Sequence, residues 1–405
     1  MKIYYIFSFI LSISLNKKLF PKLKYDLSNE PINYCTTWGT SNVQTLKKNL
    51  PEITLSNNSL RQIVRVSISG ESIRIKFSNK YGESILKIQK STISNSKSQG
   101  TSEIDTNSTK TITFSGKEKI NIAAGEEIYS DTINYSLKAL SEIAISIYFG
   151  IVPSKLTGHG NSVTNSFIEE GDKIDNNIFS LNYKTPHWYF IESIEVISNK
   201  LQKSIVCFGD SITEGVGSTI DKHNRWPDKL AEKLLKNKIY SNLAVVNAGI
   251  GGNRICDQGL ERFEHDVLNI TGIKYIIILY GINDMIHLNT TANEIISAYK
   301  QIIEKAHKNN LYIYAGTLLP AGKWSTWISE NEKERLKVNE WIRNTKKEDG
   351  GFDNYFDFDK NLKDNNNQTN LAEIYDSGDG LHPSAKGYEQ IVNTIDNLDL
   401  FIINN

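Results

Sequence analysis

Only three of the 405 residues are cysteine, Cys35, Cys207 and Cys256, and no two of them form a CxxC pair. A structural zinc site therefore lacks its usual ligand spacing. The odd count leaves at least one thiol unpaired, and Cys207, inside an apolar run, reads as a small buried hydrophobe. An excess of one charge is missing as well: 46 Lys and Arg balance 46 Asp and Glu. Nucleic-acid binders usually carry a basic surplus, so nucleic acid is not expected as a partner, whereas a neutral substrate is untouched by the balance. Long apolar runs are confined to the N-terminus, where Ile3 to Leu15 lies between Lys2 and Asn16-Lys17-Lys18. That run has the length of a signal-peptide core and is too short for a comfortable membrane span. Residues 1–20 are expected to be a signal peptide and the protein to be secreted or extracellular, with no stable membrane span after processing. No small-x-small cleavage site follows the run. Sequons at Asn57, Asn107, Asn134, Asn269, Asn289 and Asn367 would permit glycosylation in a eukaryotic secretory route.

What is present is enough for real cores: 39% hydrophobic and 10% aromatic residues in a chain whose length suits two domains. The pattern changes near residue 200. From Cys35 to Ile197, short runs alternate apolar and polar residues: Ile63 to Ile68, Ile73 to Phe77, Lys110 to Phe114, Ile143 to Phe149 and Trp188 to Val196. Turn residues such as Ser69-Gly70, Asn79 to Gly82 and Ser115-Gly116 punctuate them. This predicts an antiparallel β-sandwich over 30–200. Trp38, Trp188 and Tyr189 read as core or interface residues there, not as sugar platforms.

Beyond Lys203, strands and helices alternate. Ser204–Phe208, Leu243–Val246, Tyr275–Tyr280, Leu311–Leu319 and Tyr355–Phe358 read as strands. Trp226–Leu235, Ala292–His307, Glu330–Arg343 and Ser384–Ile395 read as helices, and Lys363–Thr369 as an exposed polar loop. The alternation predicts a three-layer α/β domain with a parallel sheet over 203–403.

Four blocks in this half carry chemistry. Gly209-Asp210-Ser211-Ile212-Thr213-Glu214-Gly215 follows the first strand directly, and in open α/β sheets reactive groups gather at the carboxyl ends of strands. Taken alone, the same residues suit a capped strand-to-helix turn. Asn247-Ala248-Gly249-Ile250-Gly251-Gly252-Asn253 follows the second strand. Its glycines expose backbone N–H groups that can serve an oxyanion, or simply make a tight turn. Gly281-Ile282-Asn283-Asp284 ends the most apolar strand, where the Asn283 amide is either a further oxyanion donor or a helix cap. In Asp376-Ser377-Gly378-Asp379-Gly380-Leu381-His382-Pro383, a carboxylate and an imidazole lie three residues apart. A serine hydroxyl needs a base, histidine has a suitable pKa, and a carboxylate fixes its tautomer. Asp376 is the weaker candidate for the acid. His159, His187, His223, His265, His287 and His307 read as structural.

Together, GDSITEG, NAGIGGN, GIND and DGLH resemble the four blocks of the SGNH family, also called GDSL hydrolases. The resemblance covers about residues 203–400. It implies Ser211, Asp379 and His382 as the catalytic triad, and Ser211, Gly252 and Asn283 as donors of the oxyanion hole. It also implies a serine esterase that needs neither metal nor cofactor. Arg61 to Ser67, Phe77 to Gly82 and Arg225-Trp226-Pro227-Asp228 look more loosely like secreted microbial SGNH proteins with a sandwich ahead of the hydrolase. That layout points to a short-chain or carbohydrate O-acetyl esterase acting on a small or polysaccharide-linked ester. The alternatives are a lipase- or phospholipase-type acylhydrolase and a non-catalytic glycan-binding protein.

Overall fold

The computed structural model of the chain describes residues 33–180 and 183–402. The expected signal peptide lies outside the described residues. No helix among the described residues is long and apolar enough to cross a membrane.

The N-terminal half is built from antiparallel sheets. One orders Tyr34–Gly39, Ile191–Ile197, Gly70–Ser78 and Glu127–Tyr129, with Ile133–Leu137 also on Gly70–Ser78. The other centres on Asn58–Arg65, Glu142–Phe149 and Leu86–Ser96. Their inward residues, among them Ile73, Ile75, Phe77, Ile143, Ile145 and Ile147, share one buried core, as the alternation of apolar residues requires. Ser115-Gly116 forms a tight hairpin turn, with both residues at positive φ and Phe114 and Lys117 exchanging N–H···O bonds of 2.7 and 3.1 Å.

The expected single strand over Trp188–Val196 is instead two. The chain breaks at Phe190, whose φ is +61°. Trp188–Tyr189 joins a small ribbon with Thr157–His159 and Val43–Gln44, while Ile191–Ile197 enters the larger sheet. Phe190 makes the corner by burying its ring against Phe149 and donating its N–H to Thr157 O at 3.0 Å. Alternation alone cannot show a change of sheet, because the apolar pattern continues through it. Trp38, Trp188 and Tyr189 are buried, and the two indoles meet edge to face at 5.0 Å.

The C-terminal half is a five-stranded, all-parallel sheet: β1 (Lys203–Gly209), β2 (Leu243–Gly249), β3 (Ile273–Leu279), β4 (Tyr312–Gly316) and β5 (Asn354–Phe356), in spatial order 2-1-3-4-5. Ile205–Phe208 and Tyr275–Leu279 are at most 1% exposed, so the sheet is covered on both faces, the usual condition of parallel strands. Helices Trp226–Leu235 and Ala385–Thr394 pack together, as do Ala292–Lys308 and Ser329–Asn344. Thr291 and Glu294 close a capping box at the start of the longest helix.

One helical stretch escapes the sequence pattern. Residues 255–268 contain two π-helical turns, at Ile255–Gly259 and Glu264–Leu268, around one α turn. Their i→i+5 bonds, Gly259 N–H to Arg254 O at 2.8 Å and Asn269 N–H to Glu264 O at 3.0 Å, widen the winding. Apolar residues then no longer recur with a period of 3.6.

The sandwich and the hydrolase sheet pack as one compact unit over the described residues. Strand Tyr34–Gly39 runs against β2, and Ala244 of β2 belongs to the sandwich core. Thr36 N–H donates to Thr271 O at 3.0 Å, the N–H of Val245 donates to Ser67 Oγ at 3.1 Å, and Arg65 pairs with Glu232 at 2.9 Å.

Candidate active site

Three neighbouring strands of the parallel sheet, β2, β1 and β3, end side by side, and each hands one block to the same edge. After β1, Asp210 accepts the N–H of Ile212 at 3.0 Å and caps a single helical turn, Ser211–Glu214. Burial, with Asp284 and Glu214 nearby, pushes the Asp210 carboxyl up to about 7. The Ser211 N–H is the first of that turn and has no acceptor among the described residues.

After β2, the two adjacent glycines have different reasons to be glycine. Gly252 has φ +74° in open space, so the backbone conformation alone requires it. At Gly251 a Cβ would lie 2.8 Å from Glu214 Oε2, so there the requirement is room. After β3, Asn283 sits inside helix Ile282–Leu288 and is not its cap. Its Nδ2 donates to Asn253 O at 3.0 Å, tying the third block to the second. Asp284 accepts the N–H groups of Ile255 and Cys256, each at 2.9 Å, and burial raises its carboxyl above the ordinary range.

The fourth block arrives on the loop before the last helix. Ser211 Oγ lies 2.9 Å from His382 Nε2, and His382 Nδ1 lies 2.6 Å from Asp379 Oδ2. The other Asp379 oxygen accepts the N–H groups of Leu381 and His382 at 2.9 Å each. Burial acts to raise the Asp379 carboxyl, but the N–H and imidazole of His382 and the N–H of Leu381 outweigh it and hold the group below its ordinary value. Ser211 and His382 are buried, while Asp379 stands at the solvent edge. Asp376 instead shapes the loop, accepting the N–H groups of Gly378 and Gly380 at 2.8 and 3.0 Å. Hydroxyl, imidazole and carboxylate thus form one continuous hydrogen-bonded chain. Such a chain can move a proton off a hydroxyl and support the resulting imidazolium.

Ser211, Gly251, Gly252, Asn283 and His382 line a cleft of about 510 Å³. Two of the histidines read as structural, His159 and His287, also line it. The Trp324 ring meets the His382 ring edge to face at 6.0 Å and forms part of the same wall. Arg262 carried no signal in the sequence, because its helix is the π-distorted one. Its guanidinium donates to Gly209 O at 2.8 Å and Ala248 O at 2.9 Å, and its charge is met by Asp266 at 2.9 Å. It therefore fastens the ends of β1 and β2, from which the serine and glycine blocks depart. The three cysteines are unpaired, and burial holds the Cys207 thiol far above its ordinary pKa, so none joins this chemistry.

Residues 207–390 match the GDSL-like lipase/acylhydrolase family. Among solved structures, the chain is similar to a lipase/acylhydrolase from Enterococcus faecalis, at 24% identity over 48% of this chain and 93% of that one, with a TM-score of 0.39. It is similar to a member of the lipolytic G-D-S-L family from Veillonella parvula, at 19% identity over 49% of this chain and 98% of that one, with a TM-score of 0.39. An acetyl xylan esterase is similar at 24% identity over 47% of this chain and 97% of that one, with a TM-score of 0.38. No curated protein sequence matches the chain. The four blocks, the parallel sheet that carries them and the family match make residues 207–390 a GDSL-like, or SGNH, acylhydrolase domain, that of a carboxylic ester hydrolase.

Proposed function

We propose that Ser211 is the nucleophile of a serine esterase that cleaves short-chain acyl esters, carbohydrate O-acetyl esters above all. The observation that carries this reading is the unbroken chain from Ser211 Oγ through His382 to Asp379. Ser211 attacks the ester carbonyl as His382 Nε2 takes its proton, and Asp379 holds the imidazole in the required tautomer and supports its positive charge. The tetrahedral oxyanion is met by the N–H groups of Ser211 and Gly252 and by the Asn283 amide. Asn283 gives one of its two amide protons to Asn253, which leaves the second for substrate. His382 then protonates the departing alcohol, and water activated by the same imidazole releases the acid from Ser211.

A lipase-type reading has its own support, since Val43, Leu46, Ile250 and Leu381 place apolar surface in the cleft. Acetate release from acetylated xylan, set against hydrolysis of long-chain p-nitrophenyl esters, separates the two: a preference for long chains favours the lipase. The test of the nucleophile is a fluorophosphonate probe. It should label the protein covalently at Ser211. Ser211→Ala should abolish labelling and lower turnover about 10⁴-fold or more while the fold is retained. An unlabelled wild-type protein would point to the non-catalytic glycan-binding alternative.

A further inference from the structure

One flank of the cleft does not belong to the hydrolase at all. Val43, Thr45, Leu46, Lys48 and Asn49 come from strand Val43–Gln44 and the segment after it, and His159, Gly160 and Asn161 from the end of strand Thr157–His159 and the turn that follows. This flank is held firmly. Val43–Gln44 pairs with Thr157–His159, which pairs with Trp188–Tyr189. Tyr189 Oη donates to Asn49 O at 2.7 Å, Thr45 N–H to Leu156 O at 2.8 Å, and His159 Nδ1 to Ser41 O at 2.8 Å. It is also fastened to the nucleophile's own helical turn. Glu214, one turn beyond Ser211 and 5% exposed, takes a hydrogen bond from Asn161 Nδ2 at 3.1 Å, and its other oxygen lies 3.4 Å from His159 Nε2. The sandwich therefore closes the cleft at a fixed distance from Ser211.

Several polar groups on this flank have hydrogen-bonding capacity that the fold does not use. Among the described residues, the Asn49 side-chain amide and Asn161 Oδ1 make no hydrogen bond, and the exposed Lys48 ammonium forms no ion pair. A cleft of about 510 Å³ is in the range that encloses whole small-molecule ligands, far more than an acetyl group fills. With a short acyl group on the serine side, what fills the remainder is the alcohol portion of the ester. Unused amide and ammonium groups beside exposed Leu46 suit an alcohol with several hydroxyls and an apolar ring face.

We infer that the sandwich flank, through Lys48, Asn49 and Asn161, is the subsite that binds a saccharide alcohol and sets the specificity of the esterase. The inference rests on the reading of Ser211 as the nucleophile of a short-acyl esterase. It makes the sandwich part of the substrate site, beyond any role as a shield or spacer.

The test uses the whole chain, with acetylated xylo-oligosaccharides and p-nitrophenyl acetate as the two substrates. In Asn49→Ala and in Lys48→Ala, the ratio of kcat/KM on the oligosaccharide ester to that on p-nitrophenyl acetate should fall roughly tenfold, mainly through KM, as expected for one lost hydrogen bond to substrate. Lys48 is exposed, so its removal does not challenge folding. Non-acetylated xylo-oligosaccharide should competitively inhibit p-nitrophenyl acetate hydrolysis by the wild type, with Ki raised by a similar factor in both variants. An unchanged ratio and unchanged Ki in both variants overturn the inference, as does a wild type that no oligosaccharide inhibits. Either result leaves the serine esterase standing if Ser211→Ala still abolishes p-nitrophenyl acetate turnover. Turnover that survives in Ser211→Ala overturns the esterase reading itself.

Discussion

The two halves of the molecule reach the same cleft by different routes. In the hydrolase half, parallel strands must all end at one edge, so the residues that follow β1, β2 and β3 meet without further arrangement. Each arrives in a short block, with its glycines and acidic residues beside the working side chain. In the sandwich half, antiparallel strands send successive turns to opposite ends, and the flank is assembled from two turns far apart in the chain, at Thr45–Asn49 and His159–Asn161. Nothing near those residues announces a site, since the turns follow sheet geometry. Chemistry is concentrated in one half and recognition surface in the other. An annotation drawn from motifs would see the first and miss the second.

Substitutions in the two halves should therefore fail in different ways. After Ser211→Ala, the largest expected effect is Asn283→Ala, with a fall in kcat of about 10²–10³ and little change in KM on p-nitrophenyl acetate. Steady-state kinetics check it, and a loss below about fivefold would remove the amide from the oxyanion hole. In the sandwich, Trp38→Ala should cost about 3–5 kcal/mol of stability, because the indole is 5% exposed and packed on Trp188. Denaturant unfolding would measure the loss, and fluorophosphonate labelling below the transition should persist. If labelling disappears while the fold remains, the division between the halves is wrong.

The smallest effect sharpens the seam between them. His265 Nδ1 lies 2.7 Å from Asp266, and its Nε2 lies 3.2 Å from Glu127 of the sandwich. Hydrogen bonds to Asp266 and Glu127, opposed by burial, raise its pKa from the ordinary 6.5 to about 9. Its charged form is favoured on folding, so this contribution is complete below pH 6.5 and is lost as pH rises through about 9. Melting temperatures taken across that window should decline in the wild type. In His265→Gln the decline should be shallower, and an identical slope would show that the seam does not depend on this proton.

Much of the architecture could be read directly. Helix Trp226–Leu235 has the expected limits, because Trp226, Leu230 and Leu234 recur at helical spacing and Pro227 marks its first turn. The apolar run Ile276 to Leu279 could only be a strand covered on both faces. Ser211, Gly252, Asn283, Asp379 and His382 are all legible from their blocks, and the structure brings them to one cleft or, for Asp379, to its edge. In the sequence, only spacing to His382 favours Asp379 over Asp376, and the hydrogen bonds separate the two residues. Less could be read where local rules give way: at Phe190, where a continuous apolar alternation hides a change of sheet, and over 255–268, where π turns erase the helical period.

Sequence by itself determined the strands of the parallel sheet, the long helices and the identity of the groups that gather around Ser211, because periodicity and turn chemistry are local and the blocks are contiguous. Only the tertiary structure decided that His159 and Asn161 would grip Glu214, that Arg262 would bind the ends of β1 and β2, and that a sandwich loop would face the nucleophile. Those contacts join separate stretches of chain that share no pattern, so they exist only once the strands have assembled and the two sheet systems have packed against each other.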